Sequence, residues 1–263
     1  MNKIAAALER ARDTKALITG KGVVHHTAEI FKDLFPGQKA IIVADENTWK
    51  VAGKEAQASL DDAGVQSYPP FIFPGRDFYA EWQHIETLKS HLENIDATAI
   101  AVGSGVINDT VKMTSHMLGR RYMCVGTAAS MDGFTAYGAS ITKDGNKQTF
   151  DCPAPLGFVM DSEIAAAAPK ELAASGYADL IAKIPAGADW MIADAIGSEK
   201  IDRFAWELVQ NGLKESLSDP AAIHDGDIEK TQALADGLLM SGFAMQAICS
   251  SRPASGTEHQ FSH

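Results

Sequence analysis

The sequence predicts an α/β domain followed by an all-α domain, and three observations predict it. Short apolar runs alternate with amphipathic stretches through the first half, the pattern of βαβ units around a parallel sheet. From about residue 162 the strand signals stop and helical periodicity alone continues. Between the two, the stretch ASITKDGNKQTF sets two β-prone arms around Asp144-Gly145, a strong hairpin signal. The boundary is expected near 160, dividing the chain into 1–160 and 161–263.

In order, the expected strands are 16–19, 39–44, 71–73, 97–102 and 122–126, each a short apolar or β-branched run. Amphipathic stretches at 27–35, 47–63, 80–92 and 107–118 supply the helices between them. Beyond the boundary, helices are expected at 163–182, 186–196, 203–217 and 229–250. Pro169, Pro185 and Pro220 fall near helix starts or between helices, where proline is tolerated.

Composition narrows the function. The 263 residues are 46% hydrophobic and 22% charged, as in an ordinary globular protein. A formal net charge of -11 argues against nucleic acid or an anionic membrane surface as partner. Glu9, Arg10, Arg12 and Asp13 break up the N-terminus too early for a signal peptide. The most apolar late segment, 233–249, is too short to span a bilayer. Cys124, Cys152 and Cys249 are odd in number and widely spaced, which fits reduced, mostly buried thiols in a cytoplasmic protein. His25 and His26 have no motif around them and read as structural.

Four constellations can carry chemistry. In the first, the strand ending at Gly103 runs through Ser104-Gly105-Val106-Ile107 into a helix, a turn whose free N–H groups can receive a pyrophosphate. A tight strand-to-helix turn without a ligand is the equal alternative. Asp45 ends the strand AIIVAD, where a carboxylate can accept ribose hydroxyls and repel a 2′-phosphate, favouring NAD over NADP. As an N-cap it would look the same. Because Asp45 precedes the glycine loop, the expected nucleotide fold is not of the standard Rossmann order.

The second constellation is Thr127-Ala-Ala-Ser130-Met-Asp132-Gly133, placed after a strand where α/β sheets bind ligands. Asp132 can orient a substrate hydroxyl or close an Asx-turn. In the third, Asp179 lies within an apolar helical run and needs a partner, either Lys183 one turn on or a metal. The fourth is the C-terminal stretch SSRPASGTEHQFSH, in which His259 and His263 share a helix face at i, i+4.

Together these residues resemble the sn-glycerol-1-phosphate dehydrogenase family, within the superfamily of dehydroquinate synthase and iron-containing alcohol dehydrogenases. The resemblance rests on Gly-Ser-Gly-x-Ile-Asn-Asp, Thr-Ala-x-Ser-Met-Asp-Gly, Gly-x-x-Asp-Leu-x-x-Lys and Ser-Ser-Arg-Pro-Ala-Ser-Gly-x-Glu-His. It implies a dehydroquinate synthase-like fold: an α/β nucleotide-binding domain, then an all-α domain that is incomplete here. By it, Asp45, Gly103, Ser104, Gly105, Val106, Ile107, Thr127 and Ser130 bind NAD, with NADP as the other candidate. Asp132 and His263 contact the substrate, and Asp179 and His259 bind a divalent metal, zinc by preference. The substrate would be a small phosphorylated ketone or polyol, dihydroxyacetone phosphate and glycerol 1-phosphate. The oligomeric state is left open, a homo-oligomer included. The family pattern differs here at Ala178, where it has Gly, and at Ala136, where a Ser is common. It also has a third histidine ligand further on and a run of helices after it, whose loss would leave an apolar face open. The alternatives are glycerol dehydrogenase, another polyol or alcohol dehydrogenase of the superfamily, or a nucleotide-binding fragment without catalysis.

Overall fold

The computed structural model describes residues 3–262. Its centre is a parallel sheet built from β1 (Ala16–Gly20), β2 (Ala40–Asp45), β3 (Phe71–Phe73), β4 (Thr98–Gly103) and β5 (Met123–Gly126). After the hairpin of β6 (Ala139–Lys143) and β7 (Asn146–Phe150), β8 (Gly157–Asp161) completes it in the order β1-β8-β5-β4-β2-β3. From β2 onward this is the doubly wound 2-1-3-4-5 order, with β1 added at one edge. The connections diverge between β2 and β4, so Asp45 and Gly103 flank the crevice where such sheets bind ligands. This is why the carboxylate precedes the glycine loop in sequence.

β2, β4, β5 and β8 are buried along nearly their whole length, as expected of parallel strands covered on both faces. Alternate side chains build two cores. On one face Ile42, Ile100, Val125 and Val159 pack with Ile30 and Phe31 of α2 (Thr27–Leu34) and with Leu60 of α4 (Lys54–Asp62). On the other, Ile41, Val43, Ala101 and Phe158 meet Leu88 of α5 (Trp82–Leu92) and Val111 of α6 (Gly105–Met117).

The hairpin lies outside the sheet, with Ala139 and Ile141 packed on Ile85 and Met113. Asp144 and Gly145 take φ of 53° and 76°, the pair of positive values that a two-residue turn of this hand requires.

Several elements depart from the sequence expectation: the helix expected at 203–217 divides into Arg203–Gln210 and Leu213–Ser216, and Pro220–His224 forms a further short helix. β8 is an additional central strand; its short apolar run has no alternation and follows the loop-like CPAPL. α1 (Lys3–Arg10) is an additional helix. The long helix expected at 163–182 divides at Pro169 into α7 (Ser162–Ala166) and α8 (Lys170–Ile181), because proline supplies no N–H and clashes with the preceding turn.

Beyond α8 come α9 (Lys183–Ala195), α10 (Arg203–Gln210), α11 (Leu213–Ser216) and α12 (Pro220–His224). They precede α13 (Ile228–Ile248) and α14 (Thr257–Ser262). α13 is apolar on nearly all sides and forms the axis on which α1, α7, α8 and α10–α12 pack. No helix among the described residues is long and apolar enough to cross a membrane. Cys124 and Cys152 are buried and Cys249 half-buried, all unbridged, and burial pushes the Cys152 thiol up to about 12.

The segment 129–138 is gripped by two helices at glycines. A Cβ on Gly176 of α8 would stand 2.1 Å from the Ala129 carbonyl oxygen, and one on Gly242 of α13 2.2 Å from Thr135 Oγ1. Gly176→Ala should cost about 1–3 kcal/mol through this overpacking. Urea denaturation measures it; an unchanged midpoint would contradict the close approach.

Candidate active site

Two regions meet along one stretch of chain. The first is a cleft of about 560 Å³ over the carboxyl ends of the strands. Asp45, Ser104 and Thr127 line it on the polar side, and Val51, Ile164 and Leu172 on the apolar side. Asp45 is also the N-cap of α3 (Glu46–Thr48): its Oδ1 accepts from Asn47 N at 2.7 Å and Thr48 N at 2.9 Å. Capping and a place in the cleft therefore coexist. Ser104 caps α6 with no side-chain cap hydrogen bond, and the first N–H groups of the helix have no intrahelical partner. Thr127 N donates to the Gly103 carbonyl at 3.1 Å, tying the two loop starts together.

Not every expected cofactor residue lines this cleft. Ile107 is buried against Gly103, so its side chain serves the core. Gly103, Gly105, Val106 and Ser130 are not among its lining residues either. Val51, Glu163, Ile164 and Leu172 were not legible in the sequence. Glu163 lies just past the end of β8, as Ser104 lies just past the end of β4, a signal lost with β8.

The second region lies a few residues on, where Asp132 meets the helices. Lys183 Nζ is fully buried, 2.5 Å from Asp179 Oδ1 and 2.8 Å from Asp132 Oδ2. Asp132 N donates to Asp179 Oδ2 at 2.8 Å, and Ser241 of α13 donates to Asp132 Oδ2 at 2.9 Å. The partner that Asp179 was expected to need is thus Lys183, which it shares with Asp132.

Burial raises the Asp179 carboxyl above its ordinary value, with the Asp132 charge adding to it and Lys183 opposing. Burial also works to lower Lys183, but the two carboxylates outweigh it and raise the ammonium. Two carboxylates against one ammonium leave a residual negative charge, a setting that attracts a further cation.

His259 faces that charge, its Nε2 4.0 Å from Asp179 Oδ1. Its Nδ1 lies 2.6 Å from Glu258 Oε1, which also accepts from Gly256 N at 2.9 Å. A carboxylate on the far ring nitrogen is the usual support of a metal-binding imidazole. Asp179 Oδ1 and His259 Nε2 are donor types that a divalent ion takes, and here Oδ1 accepts from Lys183 and Oδ2 from Asp132 N. No group of three such ligands occurs among the described residues. His263 lies outside the described residues.

Lys183→Met would strand two buried carboxylates, so wild type should exceed it in stability by roughly 3–5 kcal/mol near neutrality. A raised ammonium contributes fully below its ordinary value of 10.5, and that contribution is lost as pH rises through the folded value. The gap between the two proteins should therefore narrow above pH 10.5 in denaturant titrations. A pH-independent gap would contradict the pairing.

The model of the family described as iron-containing alcohol dehydrogenase matches residues 18–169, more than half of the chain. A glycerol-1-phosphate dehydrogenase [NAD(P)+] of Bacillus velezensis is 33% identical over 85% of this chain and 57% of its own length. That of Methanothermobacter thermautotrophicus is 31% identical over 95% of this chain and 70% of its own. The chain thus spans less than two thirds of the first of these relatives. In fold it is similar to a probable glycerol dehydrogenase from Sinorhizobium meliloti, with TM-score 0.72 at 18% identity, covering 90% of this chain and 66% of that one. By the family match and these relatives, the chain belongs to the iron-containing alcohol dehydrogenase family.

Proposed function

We propose that the chain carries the cofactor site and part of the catalytic site of an NAD(P)-dependent dehydrogenase interconverting dihydroxyacetone phosphate and sn-glycerol 1-phosphate. The observation that carries this reading is one stretch, 127–132, leading from the nucleotide cleft at Thr127 to the carboxylate pair at Asp132. The relatives named glycerol-1-phosphate dehydrogenase support the choice of substrate. We divide the chain near residue 160 into a cofactor domain and a helical metal and substrate domain. Unpaired thiols suit a cytoplasmic setting.

In this reading Asp45 accepts the ribose hydroxyls, and the N-terminus of α6 with Ser104 receives the pyrophosphate. NAD is then favoured, since a 2′-phosphate would face the Asp45 carboxylate. Thr127 and Ser130 border the nicotinamide end. Asp179 and His259 hold a divalent ion, zinc by donor type, with Glu258 orienting the imidazole. When bound, the ion supplies Lewis-acid polarisation of a ketone oxygen and the reduced nicotinamide supplies a hydride. Asp132 accepts a hydrogen bond from a substrate hydroxyl, and Lys183, 2.8 Å away, holds that carboxylate in place. His263 would contact the substrate on the proton path.

A second reading, nucleotide binding without turnover, is favoured by one observation: the two metal donors lack a third among the described residues. Zinc titration by calorimetry and NADH oxidation with dihydroxyacetone phosphate separate the two. The dehydrogenase reading expects zinc-dependent NADH oxidation that a chelator removes. It expects Asp179→Asn to lose at least about 10-fold in zinc affinity with NADH binding retained. NADH binding without zinc binding or turnover would favour the second reading.

A further inference from the structure

Lys112 plays no part in the mechanism above, yet its side chain is fully buried in α6. Its nearest carboxylate oxygen, Asp109 Oδ1, stands 3.9 Å away, beyond a hydrogen bond. Instead the ammonium donates to three backbone carbonyls: Gly133 at 2.8 Å, Ala136 at 3.1 Å and Gly138 at 2.9 Å. An ammonium has three donors, and all are used on one short segment. Burying a cation is costly, and charge-assisted bonds to carbonyls are what offset that cost here.

That segment carries Asp132, and it touches the same helix a second time. The Met131 side chain lies against Gly105, where a Cβ would meet its Cε at 3.1 Å. Asp109 adds a third tie, accepting from Ser140 N at 3.1 Å. Segment 131–140 is therefore fixed to α6 at its first turn and again two turns on.

We propose that Lys112 is a positioning residue that locks segment 131–138, and with it Asp132, to the helix whose N-terminus receives the cofactor. The cofactor at Ser104 and the Asp132 carboxylate then share one frame, and ordering of the first turn of α6 reaches the segment through the contact of Met131 with Gly105. Such a frame matters because a displacement of about 1 Å at the reacting centre can cost on the order of 100-fold in rate. The inference rests on the dehydrogenase reading of the cleft.

Hydrogen exchange by mass spectrometry on the full chain, with and without saturating NADH, tests it. Wild type, Lys112→Met and Leu88→Ala are compared, the last removing a buried core side chain of α5 distant in sequence from the segment. NADH should slow exchange across 132–138 in wild type and in Leu88→Ala. In Lys112→Met those amides should exchange about 10-fold faster, each lost hydrogen bond being worth about that factor, and NADH should bind without slowing them. A purely structural lysine would leave the NADH response intact, which would overturn the proposal. Should Lys112→Met not fold, Lys112→Gln and the wild-type response still decide. Wild type that binds NADH with no change in 132–138 overturns the coupling alone. Wild type that does not bind NADH overturns the dehydrogenase reading, and the coupling with it.

Discussion

One buried ammonium carries the junction between the sheet and the helices. Lys183 reaches Asp179 on its own side of the chain and Asp132 on the loop after β5, two carboxylates that would repel each other without it. Removing the ammonium would leave uncompensated charge in a setting where that is among the costliest of defects. Removing either carboxylate would leave the ammonium a single charged partner. The residual negative charge is also what His259 faces, its Nε2 4.0 Å from Asp179 Oδ1.

The loop between Ala129 and Gly138 is held on three sides by different means. Helix α8 approaches through Gly176, α13 through Gly242, and α6 through the Lys112 ammonium. Gln246 adds a further tie, donating to the Thr135 carbonyl at 2.8 Å and to Thr14 Oγ1 at 3.1 Å. Backbone pinned this way presents Asp132 with little freedom to shift. The outer helices are less fully covered: Ile184, Met191, Ile192 and Ile196 are exposed along α9.

The fold was legible where the physics is local. The alternation of buried runs and amphipathic stretches placed the sheet's first five strands, and Asp144-Gly145 marked the hairpin. β8 escaped because its run is short and the prolines just before it, Pro153 and Pro155, read as loop. At the site, motifs brought Asp45, Ser104 and Thr127 to one cleft and Asp179 to His259. Lys183 was legible as a partner of Asp179 from its i, i+4 spacing, but its reach to Asp132 depends on tertiary packing. Lys112 was invisible for the same reason: its partners are backbone carbonyls, which have no residue signature.

The shared ammonium is tested most directly by a double-mutant cycle on Asp132→Asn and Asp179→Asn, read as unfolding free energy in urea. Each single change leaves Lys183 one charged partner, whereas the double change leaves none. The double variant should therefore lose more stability than the sum of the singles, by about 1–3 kcal/mol. Losses that add within about 0.5 kcal/mol would show that the two carboxylates act independently, and would contradict the account.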